Sequence, residues 1–345
     1  MLQTGCIFYL TLHLISEVAM KQSFYDNFLQ AIEKRYLRKS DLANALMEVL
    51  PLEKESIYRR LRKDVFFTAE EAMRIARAWN ISIDNIISVN PNKIRPFHFS
   101  MIEYVAPEEA DYAILEDYNH YLEVIGRSPN GRMVEVVNAL PRSLYCRSEH
   151  LTRFFTMKWL YKYGPPQETI PFSDIRIPER MRKLDLEYVR LVHHISEVHS
   201  IHDSRFVEHF VDDILYFHSI GMIKEEDVDL LREELLTLID YMADVASTGR
   251  FHHTGNKLFF YLSHTWLDTE YHLFESEHLT LSSVNILERN SIASSDKKVF
   301  DKFMNMVQSI KRSSVLISRS NTLQQVEFFT RQRDIVASLL STPAE

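Results

Sequence analysis

The sequence predicts a mainly α protein in two parts: a compact five-helix segment, then a mostly helical α+β region with a small antiparallel sheet. Three observations lead there. Between residues 23 and 88, apolar positions recur at helical spacing in five short runs separated by caps and breakers. Pro91 and Pro96 then bracket the polar stretch PNKIRP, a domain boundary beyond which the patterning changes. Between Lys257 and Glu288, KLFFYLSH, TEYHLFES and LTLSSVNIL alternate aromatic and β-branched residues, as antiparallel strands do.

Residues 1–19 form an apolar leader whose core is CIFYLTLHLI. No Lys or Arg precedes Lys21, His13 interrupts the run, and its length is far below the roughly 20 residues of a spanning helix, so neither a signal peptide nor a membrane anchor is expected. MKQSFYDNF reads as a fresh beginning, and Met20 is the expected start, with the leader an extension. The first helix is FYDNFLQAIEKRYL, with Phe24, Phe28, Ile32 and Tyr36 on one face. The second is SDLANALMEVL, capped by Ser40, with Leu42, Ala43, Leu46 and Leu50 inward and Pro51 ending it. The third, KESIYRRLR, has only Ile57 and Leu61 as an apolar pair. The fourth opens on a capping box, Thr68 with Glu71, and runs through Ala72, Ile75 and Ala76 to Trp79, with Asn80 as its stop. The fifth is IDNII behind Ser82.

Residues 97–345 are expected to form one α+β domain. Helices are predicted over residues 107–125, 151–163, 180–199, 204–220, 224–246, 297–310 and 322–340, with a turn at RSPNGR and a short strand at MVEVV. In the helix from Lys224 to Ala246, Val228, Leu231, Leu235, Leu238, Met242 and Val245 form a heptad seam. Leu230, Leu236 and Ile239 widen it, which favours a buried stripe over a dimer seam. Phe154, Phe155, Trp159 and Tyr163 read as core packing in preference to a ligand pocket.

Composition excludes several function classes. The formal charge is -8, but residues 20–90 carry +2 and residues 91–345 carry -9, so the acidity belongs to the larger part. Cys6 and Cys146 are the two cysteines, too few for a disulfide framework or a multi-cysteine zinc site, and a reducing cytoplasm is the expected compartment. Cys146, following Leu144 and Tyr145, reads as packing. Seven glycines, with no GxGxxG and no GxxxxGK[ST], argue against a Rossmann or P-loop enzyme. His193, His194, His199 and His202 cluster in sequence without metal-ligand spacing, as do His252 and His253, so no metal and no cofactor are expected.

The functional signal is KESIYRRLRK, residues 54–63, with five basic residues against one acid. A helix that enters the DNA major groove needs a thin apolar stripe to dock on its neighbour and a broad polar face for DNA. Ser56, Tyr58 and Arg59 are the expected base contacts, since arginine can meet guanine bidentately. Lys54, Arg60, Arg62 and Lys63 are the expected phosphate contacts, with Arg38 and Lys39 at the start of the second helix.

RKSDLANAL, IYRRLRKD and FTAEEAMRIARAWNISIDNII together resemble the lambda-repressor-like helix-turn-helix domains of the xenobiotic-response-element type, and the paired arginines resemble the BetR-type N-terminal domain. Leu42 with Ala43, Ile57, and Ile75-Ala76 with Ile81 to Ile86 occupy the family's positions. The connection between Ala43 and Ile57, with EVLPLEKE where a short glycine turn is usual, is longer than the family pattern and shifts the possible register. The resemblance covers about 65 residues of the chain, none beyond Asn90. It implies a DNA-binding domain at residues 20–90, a linker at 91–96, and a regulatory or dimerisation domain at 97–345. The expected function is sequence-specific transcription regulation on double-stranded DNA by a homodimer, with a small-molecule or protein effector as a possible input to the larger domain, and no membrane. The alternative is a protein-interaction module of the same fold that does not bind DNA; no nucleophile motif or acid/base pair argues for an enzyme.

Overall fold

A computed structural model of the chain describes residues 24–33, 35–36, 38–79, 81, 83, 86, 97–104, 106–165, 169–277, 279–288, 290–319 and 322–340. The chain divides into two compact units, Met1–Pro96 and Phe97–Glu345. The leader, the PNKIRP linker and most of the predicted fifth helix lie outside the described residues.

The first unit contains α1 (Phe24–Glu33), α2 (Lys39–Val49), α3 (Lys54–Leu61) and α4 (Ala69–Ala78). Its core joins Phe28, Ile32, Leu42, Leu46, Ile57 and Ile75. On α1 the buried face is Tyr25, Phe28, Leu29 and Ile32; Phe28 and Ile32 are inward as read and Tyr36 packs on the core, while Phe24 is turned outward. Arg38, in an extended conformation and without a side-chain cap, precedes α2, so Ser40 lies inside the first turn and is not its cap. The Thr68–Glu71 capping box is formed at both bonds.

The second unit corrects the expected small antiparallel sheet. It contains one eight-stranded mixed sheet in the order β1-β7-β6-β5-β2-β3-β4-β8. In chain order the elements are β1 (His98–Ser100), α5 (Glu109–Arg127), β2 (Arg132–Val137), α6 (Arg142–Tyr145), α7 (Glu149–Tyr163), α8 (Glu179–His194), β3 (Glu197–Asp203), α9 (Phe206–Ser219), α10 (Glu225–Thr248), β4 (Lys257–Ser263), β5 (Tyr271–Glu275), β6 (Thr280–Ile286), β7 (Asn290–Ser294), α11 (Lys297–Arg312), β8 (Ser314–Leu316) and α12 (Thr322–Ala337). The strands β2, β3 and β4 are parallel at the centre, and antiparallel pairs extend the sheet on both sides. The helix expected to run to His199 stops at His194, and the residues beyond it become the central strand β3. Buried on both faces, β3 lacks the alternation that marks a half-exposed strand.

Side chains alternate across the sheet. One face, with Met133, Val198 and Phe260, joins the main core under the α5, α7, α8, α9, α10 and α12 helices. The other, with Val134, Val136 and Ile201, packs against Phe300 and Val307 of α11. All six seam residues of α10 are buried within this unit. Phe154, Phe155 and Trp159 are also buried, whereas Tyr163 is exposed. Among the described residues, no helix is long and apolar enough to cross a membrane.

Candidate nucleic-acid interface

The α2 and α3 helices are joined by residues 50–53 alone. Leu50 donates its N–H to Leu46 and closes α2, and Leu52 donates to Leu50 across Pro51 in a three-residue turn. The length noted between Ala43 and Ile57 therefore lies in a longer α2, with α3 starting at Lys54.

Ile57 and Leu61 are buried and hold α3 against α2. Two further ties fix its last turn. The Arg60 guanidinium makes a bidentate pair with Glu71 at 2.9 and 2.8 Å and also donates to the Ser56 carbonyl at 3.1 Å. The same Glu71 carboxylate accepts from the Thr68 N–H at 2.9 Å, so one side chain both caps α4 and anchors α3. Partial burial raises the Glu71 pKa, but the bonds from Arg60 and Thr68 outweigh it and hold the carboxyl below its ordinary value. From α1, the Tyr25 hydroxyl donates to the Arg60 carbonyl at 2.9 Å and accepts from the Phe67 N–H at 3.3 Å. Burial raises the Tyr25 pKa.

The proposed contact residues fall into four groups. Arg60 is anchored, with its side chain only 13% exposed, and is not placed on the outer face as a phosphate contact would be. Its signal in the sequence is its spacing, three residues after Ile57 and beside Leu61. Arg62 and Lys63 are exposed but engaged: Arg62 with Glu55 at 2.9 Å and Asp64 at 3.1 Å, and Lys63 with Asp26. The bonds from Glu55 and Asp64 raise the Arg62 pKa. Pairs this exposed contribute little and can exchange for other anions. Arg38, Lys39, Lys54 and Arg59 are exposed, and their side chains make no hydrogen bond or ion pair with any described residue. Ser56 and Tyr58 are half-buried, and Tyr58 packs on the core of the unit. Sequence reasoning missed Tyr25 and the second role of Glu71, whose partners lie 35 and 11 residues away.

Lys63 has φ 66°, in the left-handed region. Its N–H bonds Arg60, and the Asp64 N–H bonds Arg59, which forms a Schellman termination of α3 with lysine at the position glycine favours.

The histidines separate. His193 and His194 end α8, while His199 and His202, three apart on β3, face opposite sides of the sheet. Burial first of all lowers His193 and His199 to about 4 and His202 to about 3. Among the described residues no three His, Cys, Asp or Glu side chains gather to hold a metal ion. Cys146 is fully buried in the main core. No protein-family model, curated protein or solved structure matches the chain.

Proposed function

We propose that this chain is a sequence-specific DNA-binding transcription regulator in which α2 and α3 act as a helix-turn-helix and α3 reads the major groove. The supporting observation is the pairing pattern: α3 is locked on its inner side by Ile57, Leu61, Arg60 and Tyr25, while Lys54 and Arg59, with Arg38 and Lys39 of the α2 start, keep their cationic groups uncommitted to any described residue. Arg59 is assigned to bases, with Ser56 and Tyr58 as flanking contacts, and the other three cations are assigned to phosphates. Homodimerisation supplies two-fold recognition, and the larger unit supplies dimer contacts or effector sensing. Selection of genomic fragments by the full chain tests the reading. Enriched fragments should share one site, and Arg59→Ala should lose that enrichment while keeping salt-sensitive general binding; equal enrichment by Arg59→Ala removes the α3 assignment.

One observation favours a second reading. Arg62 and Lys63 are already neutralised by Glu55, Asp64 and Asp26, which suits a module that docks on protein more than one that competes for phosphates. Absence of any fragment enrichment by the folded chain would support it.

A further inference from the structure

We infer that the larger unit carries a binding site for a small ammonium cation, ammonium itself or a one-carbon primary amine, in the cavity between the central strands and helices α8 and α10, with Glu135 as counter-ion. The inference rests on the reading of this unit as an effector sensor.

The site follows from register. Glu135 on β2 stands opposite Ser200 on β3, and His202, two residues further along, shares the Ser200 face. These three side chains line a cavity of about 30 Å³, together with Tyr241 and Met242 of α10 and Phe260 of β4. A water needs roughly 10–15 Å³ and a benzene-sized cavity is about 150 Å³, so the guest has one or two heavy atoms.

Hydrogen bonding sets the polarity of the guest. The Ser200 hydroxyl donates to Glu135 Oε1, so at 2.6 Å from His202 Nε2 it accepts a bond from that nitrogen. His202 Nδ1 is then a bare acceptor. Neither it nor Glu135 Oε2 has a partner among the described residues. Two buried acceptors call for a donor.

Charge sets its sign. Facing Glu135 are Ser200 and His202 of β3, the β5 residue His272 with Nε2 3.9 Å from Oε2, the Glu270 carboxyl, and the phenols of Tyr118 on α5 and Tyr188 on α8, which burial keeps neutral. Burial holds His202 neutral and lowers His272 to about 4, and His193 on the α8 side of the cavity is lowered likewise. Arg142, whose charge acts on His272, is bound to Asp185 at 2.6 Å, and Arg147 lies over the Tyr241 ring at 3.7 Å. Glu135 thus has no cationic partner, and burial, with a smaller contribution from Glu270, pushes its carboxyl up to about 7 against the Ser200 bond. One free carboxylate oxygen and one imidazole nitrogen fall short of the ligand set of a bound zinc ion.

The test is calorimetric titration of the full chain with methylammonium chloride, with sodium chloride and tetramethylammonium chloride as controls at equal ionic strength. Saturable binding is expected for methylammonium alone, with proton release at pH 7 seen as a buffer-dependent heat, because the cation ionises Glu135. Affinity should be about tenfold higher at pH 8 than at pH 6. Glu135→Gln, with its fold verified by circular dichroism, should weaken binding at least tenfold; the proton release of the unaltered chain serves independently if that variant does not fold. Heats matching sodium chloride, binding without proton release at pH 7, or equal binding of tetramethylammonium overturns the inference. DNA binding is measured on the same preparation: intact DNA binding without methylammonium binding removes only the cavity site, and the converse removes only the regulator reading.

Discussion

Both units carry ion pairs, but the second also buries titratable groups outside such pairs. In the first, ionisable side chains stand at the surface and pair across short distances: Arg62 with Glu55 and Asp64, Lys63 with Asp26, and, more buried, Arg60 with Glu71. In the second, Glu135, His202 and His272 are buried and have lost solvation without gaining a partner of opposite charge. The first arrangement leaves Arg38, Lys39, Lys54 and Arg59 exposed and outside its pairs; the second leaves titratable groups whose pKa values burial shifts. Residue type alone does not locate function, because solvation decides what each group can do.

Acid should separate the units most strongly. His193, His199, His202 and His272 have folded pKa values below the ordinary value of 6.5, so the stability they confer is present above pH 6.5 and is lost as pH falls toward 4. Glu135 acts oppositely, its contribution being present below 4.5 and lost as pH rises through about 7, and Glu270, also raised by burial, acts in the same sense, but these are two groups against four. Glu71, lowered, begins to lose its contribution only as pH falls below 4.5. Hydrogen exchange read by mass spectrometry should therefore show the larger unit opening first between pH 6.5 and 4.5; simultaneous opening would erase the contrast.

A single substitution gives the next largest effect. Arg142 is bound to the fully buried Asp185, and Arg142→Met should destabilise the larger unit by about 3–5 kcal/mol in chemical denaturation, because a buried carboxylate loses its guanidinium. Arg60→Met in the first unit should cost about 2 kcal/mol, since Arg60 and Glu71 are only partly solvated and joined by two charge-assisted bonds. If Arg60→Met proves neutral, the lock on α3 is not where the geometry puts it. Lys63→Gly should have the smallest effect and the opposite sign, a gain of about 0.5–1 kcal/mol from relief of the left-handed backbone, reduced slightly by loss of the exposed pair with Asp26. Thermal unfolding reads both.

Much of the first unit was legible because its signals are local. The Thr68–Glu71 box lies within four residues, and Ile57 with Leu61 announces which side of α3 faces inward. Tyr25 was illegible because its hydroxyl meets a carbonyl 35 residues away. In the larger unit MVEVV marks β2, but the start of β3, Glu197–His199, reads as the end of a helix because no glycine or proline separates His194 from Glu197 and the strand is buried on both faces. The strands β1 and β8 have three residues each, too short for any period to register. The Glu135–Ser200–His202 array depends on the parallel register of strands 65 positions apart, which no local pattern encodes.

The central claim is that the outer, uncommitted cations of α3 meet DNA while Arg60 serves only the fold. Its most direct test is the salt dependence of DNA affinity, measured by fluorescence anisotropy on one selected fragment for the unaltered chain, Lys54→Ala, Arg59→Ala and Arg60→Met. Affinity should fall steeply with salt, Lys54→Ala should reduce the slope of log K against log salt by about one, Arg59→Ala should cost about 1–3 kcal/mol on the selected site, and the folded fraction of Arg60→Met should keep the original slope. Slopes that are unchanged in Lys54→Ala and reduced in Arg60→Met would contradict the claim.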